Sequence, residues 1–78
     1  MKAGLVLGAV WATKKSPALT GQSLLRVRVG RDEIVAADLV GAGTGERVIL
    51  AFGGAARLVC PNVPADAAIV GILDEQSL

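Results

Sequence analysis

The 78 residues carry eight basic and seven acidic side chains, a net charge of +1, so nothing pulls the chain generally toward nucleic acid or an anionic membrane. Histidine and tyrosine are absent and Cys60 is the only cysteine, which removes the commonest general base, the commonest metal ligand and any disulfide framework. Hydrophobic residues make up 53% and aromatic residues 3%, so Ala, Val, Leu and Ile must fill the core of one small domain, 1–78, which has more apolar surface than it can bury alone.

The first element expected is a long strand over 3–13. Leu5, Leu7, Ala9 and Trp11 fall on one face and Val6, Gly8 and Val10 on the other. Both faces are apolar, which calls for cover on both: the core on one side, a neighbour on the other. Gly4 and Gly8 are points where the strand can bend. Met1-Lys2 and the apolar run after it resemble a short signal peptide. One lysine and a segment below the usual ~15–30 residues argue against that reading. No apolar run reaches the ~18 residues of a membrane span.

A polar break at 13–17 precedes the second strand, 23–29. There Leu25, Val27 and Val29 alternate with Leu24, Arg26 and Arg28. Gly30-Arg31-Asp32 turns the chain into a third strand over 33–40, making a hairpin in which the arginines can meet Asp32 or Glu33. A glycine-rich loop follows, Gly41-Ala42-Gly43-Thr44-Gly45, and then a fourth strand over 46–52. The loop is not a dinucleotide fingerprint, which needs G-x-G-x-x-G opening a helix. It is not a Walker-type loop either, since it ends Gly45-Glu46-Arg47. Its glycines are expected to serve geometry, so that a valine at Gly43 costs far more than one at Thr44, which is already β-branched. Gly53-Gly54 hands over to one or two helical turns at 55–58. Cys60-Pro61-Asn62-Val63-Pro64 is irregular, Asp66 starts a local turn, and 67–74 is the last strand. Five strands and one short helix describe an all-β chain folded as a small closed or partly closed barrel.

Several segments together resemble one family. They are Gly8-Ala9-Val10-Trp11-Ala12-Thr13-Lys14-Lys15, Gly21-x-x-Leu24-Leu25, the run from Ala37 to Glu46, Gly53-x-x-Ala56-Arg57, and the run from Asn62 to Asp74. Their order and spacing resemble the pentameric vertex proteins of bacterial microcompartment shells, the carboxysome and ethanolamine-utilisation (CcmL/EutN) family. The resemblance implies an OB-like barrel that assembles as a homopentamer, caps shell vertices and sits beside hexameric shell proteins in the cytoplasm. It implies no catalytic residue, no cofactor and no metal. Where many members carry serines after the fourth strand, this chain has Gly54-Ala55, and its hairpin at Gly30 is short.

Interface or structural roles are expected at Thr13, Lys14, Asp38, Gly41, Gly43 and Gly45. The same expectation covers Glu46, Gly53, Arg57 and Asp66. Glu46 and Arg57 flank one strand beside glycine-rich bends, where charges gain order only by finding partners; the alternative is that both are solvated loop charges. The alternative function is a single-stranded nucleic-acid-binding OB-type module. That role calls for a basic groove with stacking aromatics, and this chain offers only Trp11 and Phe52.

Overall fold

Lys2–Ala9 forms strand β1 of the computed structural model, which describes residues 1–12 and 14–74. The strand ends at Ala9, four residues short of the expectation. With both faces apolar, β1 carries no change of alternation to mark its end. Its pairing with the next strand slips between Val6 and Gly8, a bulge at the glycine expected to bend. Val10 still donates to the Leu24 carbonyl at 2.9 Å, so the segment leaving β1 is held at its base.

Between the first two strands the chain makes an unexpected 3-10 turn, Pro17–Leu19. Pro17 stands at its start, and the Ser16 hydroxyl accepts from the Ala18 N–H. Leu24–Val29 is β2 and Asp32–Asp38 is β3, paired in register from Leu24↔Ala37 to Val29↔Asp32. The turn between them is the two residues Gly30-Arg31. Gly30 has φ 61°, the positive value that a tight hairpin demands of its first residue here. The alternation in β2 is obeyed: Leu25 and Val27 are buried, Arg26 and Arg28 exposed. Arg26 Nε lies 3.8 Å from Glu33 Oε2, a solvated pair worth about 0–1 kcal/mol.

Arg47–Phe52 is β4, Gly53–Val59 is helix α1 and Ala67–Leu73 is β5. The helix starts two residues earlier than expected and packs on β4 and β5 with Ala56 fully buried. The sheet closes in the order β1-β2-β3-β5-β4 and back to β1. Four of the five contacts are antiparallel; β3 and β5 run parallel through Ala37↔Ala68 and Asp38↔Ile69. Inside sit Val6, Leu25, Val27, Val48, Leu50 and Ile69, together with Ala36 and Ala67. Among the described residues no buried side chain is charged or polar, so the interior is held by packing alone.

Gly4 faces this interior. A Cβ there would lie 2.6 Å from Val27 Cγ1, 2.9 Å from the Arg28 carbonyl oxygen and 2.9 Å from Leu50 Cδ1. The backbone oxygen cannot swing aside as a side chain can. Gly4→Ala is therefore expected to destabilise the fold by about 1–3 kcal/mol through overpacking, read as a lower urea midpoint. A midpoint equal to that of the parent chain would contradict this placement.

Candidate functional site

The glycine loop begins where β3 must let the chain leave for β4. Position 38 answers this with a carboxylate. Asp38 Oδ1 accepts from the N–H groups of Val40 and Gly41, each at 3.1 Å, and Oδ2 accepts from Ala42 at 2.9 Å. A short acidic side chain that satisfies backbone donors just ahead of it is a turn-forming device. At the far end, Gly43 N–H donates to Glu46 Oε1 at 2.6 Å, while Glu46 N–H donates to the Gly43 carbonyl at 3.1 Å. Gly45 N–H then donates to Val6 at 2.9 Å, and Val6 N–H to Glu46 at 3.0 Å, which fastens the loop to β1.

This arrangement bears on anion binding. The N–H groups of residues 40–43 already face carboxylates. A phosphate at the same donors would have to displace two anions of its own sign, a cost that an open anion-binding nest does not carry.

Gly41 and Gly45 have φ 76° and 87°, in the region that disfavours a side chain. Gly43 has no positive φ, and a Cβ there would meet only Glu46 Oε1 at 3.3 Å. Within one chain, neither a positive φ nor a crowded Cβ position gives a strong ground for the heavy cost expected of a side chain at Gly43. Its spatial neighbour is the end of a flexible side chain, and the strain lies on either side of it.

Gly53, Arg57 and Asp66 gather at a second place. Gly53 (φ 55°) turns the chain into α1, and its N–H donates to the Asp66 carbonyl at 2.9 Å. Exposed Arg57 and Asp66 line an open cleft of about 750 Å³ whose other walls include Pro61, Val63 and Pro64. Ala18, from the 3-10 turn, also borders it. The proline pair was the only sign of this cleft in the sequence, because Ala18 reaches it from another part of the chain. Lys14 is exposed on the segment after β1; Thr13 lies outside the described residues.

The chemistry available is limited. Among the described residues no three His, Cys, Asp or Glu side chains gather where a metal could sit. Cys60 is buried behind α1, with its N–H on the Ala56 carbonyl. Phe52 is half-buried beneath the Lys2 ammonium, 5.7 Å from its ring centroid, and so offers little open stacking face. Trp11 stands 91% exposed.

A family model described as "Ethanolamine utilisation protein EutN/carboxysome" matches residues 1–74. The chain is 47% identical to the bacterial microcompartment shell vertex protein PduN of Salmonella typhimurium, over 92% of this chain and 93% of that one. It is 45% identical to the carboxysome shell vertex protein CcmL of Synechocystis, over 95% of this chain and 83% of the relative. Among solved structures, the GrpN pentameric microcompartment shell protein of Rhodospirillum rubrum superposes with a TM-score of 0.84 at 40% identity, covering 95% of this chain and 94% of that one. These likenesses give the nucleic-acid reading no support.

The loop geometry sets an order of tolerance. Gly41→Ala and Gly45→Ala should each cost about 1–2 kcal/mol from positive φ, and Gly43→Ala less than either. Asp38→Ala, which strips an acceptor from three N–H groups, should cost about 1–3 kcal/mol. Urea titration of the four variants checks the order. Addition of millimolar phosphate or ATP should leave the melting temperature of the parent chain in place, since a bound ligand would raise it.

Proposed function

This chain belongs to the ethanolamine utilisation protein EutN/carboxysome family, and from that premise we propose that it is a structural shell protein whose homopentamer caps the five-fold vertices of a polyhedral bacterial microcompartment. The observation that carries the reading is near-full-length likeness, in sequence to shell vertex proteins and in fold to a pentameric shell protein. Residues 1–78 act as one vertex domain without a catalytic site, and the pentamer sits in the shell inside the cell. Hexameric shell proteins are its neighbours.

The physics of the isolated chain supports an assembly. A closed barrel presents no free strand edge, so copies cannot join by extending the sheet and must meet through side chains and loops. Trp11 and Leu58 are 91% and 84% exposed in the single chain, and Val59 is 48% exposed. A ring of copies offers them a place out of water. A ring also needs two different surfaces on each copy, because a cyclic contact beyond the dimer is heterologous. The loop from Asp38 to Glu46 and the region of Gly53, Arg57 and Asp66 are two structured places outside the barrel wall. We assign interface roles to Glu46 and Arg57 within them, and a rim position to Lys14.

Native mass spectrometry of the purified chain should give a five-subunit mass at micromolar concentration; a monomer or dimer there would sink the reading. Glu46→Ala and Arg57→Ala should each weaken the ring. Loss of one member of a buried charged pair costs about 3–5 kcal/mol, whereas loss of a solvated charge costs almost nothing. Two variants with unchanged ring stability would remove both residues from the interface.

A further inference from the structure

Resting on the ring proposed above, we infer that Trp11 of one copy seats in the cleft between α1 and the proline segment of the next copy. The indole is the largest side chain in the protein, and it stands 91% exposed. It does not hang from a loose tail: the residue before it is fastened to β2 by the Val10 N–H to Leu24 carbonyl bond of 2.9 Å. A rigid aromatic on a fixed stem is the usual form of an interface anchor.

The cleft has the chemistry to receive it. Pro61, Val63 and Pro64 give apolar walls, and exposed Arg57 brings a planar guanidinium that can stack on an indole face. Charge complements shape. Lys14 and Lys15 follow Trp11 closely and are exposed, and Asp66 is exposed at the cleft. An indole entering the cleft brings two ammonium groups toward that carboxylate. The chain's own Trp11 is outside its own cleft, as its exposure shows. A projecting Trp11 and a receiving cleft are two unlike surfaces on one subunit, which is what closure of a ring requires.

The protein reports on this contact directly. It has one tryptophan and no tyrosine, so emission excited at the red edge of indole absorption comes from position 11 alone. In rings whose mass has been verified, the emission is expected to be blue-shifted, and acrylamide quenching should be reduced several-fold relative to free tryptophan. Asp66→Lys should raise the dissociation constant of the ring about tenfold or more and make Trp11 quenchable again. Adding Lys14→Asp and Lys15→Asp to that variant should restore both properties, a rescue that a merely local role for Asp66 does not predict. Rings with a water-exposed Trp11 would overturn the inference and leave the vertex reading standing; a small molecule or another shell protein would then be the occupant of the cleft. A buried Trp11 indifferent to the Asp66 charge would overturn it as well, by placing the indole elsewhere. Absence of any ring would overturn the vertex reading, and this inference with it.

Discussion

The parallel contact between β3 and β5 is the constraint on which the rest depends. It is short, Ala37↔Ala68 and Asp38↔Ile69, yet without it the sheet stays open and exposes two edges. A parallel neighbour cannot be reached by a tight turn. The chain must leave β3, run β4 along the far side beside β1, and return through α1 before β5 can close the gap. The glycine loop and the helix are both consequences of that detour.

Asp38 stands at the point where these demands meet. Its N–H donates to the Ser23 carbonyl at 2.9 Å, and its carbonyl accepts from Gln22 Nε2 at 3.2 Å. Leu39 N–H reaches Ile69 at 3.2 Å. Residues 38 and 39 thus tie the end of β3 to the segment entering β2 and to β5, while the Asp38 side chain shapes the loop that departs. A carboxylate suits the task because it accepts several N–H bonds at once in a partly wet place. The donors it satisfies would otherwise face one another's partial charge without an acceptor.

Closure also explains the small residues. A five-stranded barrel leaves little room, so the interior is built from Val, Leu and Ile, with glycine at position 4 where atoms of the flanking strands β2 and β4 crowd in. Ala37, Ala51 and Ala68 are buried in one row across three strands, and Ala56 of α1 is buried as well. Larger side chains there would hold the helix away from the wall. With charge kept off the inside and strand edges removed, interaction with other molecules falls to the features left outside: an exposed tryptophan, a loop tied by its own carboxylates, and a cleft beside the helix.

The sequence by itself determined the local pieces. Alternation at Leu25, Val27 and Val29 placed β2 and its buried face, and Gly30-Arg31 placed the hairpin. The ordering of glycines against Val48–Phe52 told a turn before a strand from a phosphate loop. These signals are legible because each is carried by neighbours along the chain. Tertiary structure alone decided that β5 closes on β3 in parallel, that β1 stops at Ala9, and that a carboxylate fills the loop. It also decided which glycines are needed: Gly4, against a backbone oxygen from another strand, and Gly41 and Gly45, by their φ, rather than Gly43. The physical reason is the same in each case. Closure, a facing atom and the hand of a turn are set by chain segments far apart in sequence, and no short window contains both partners.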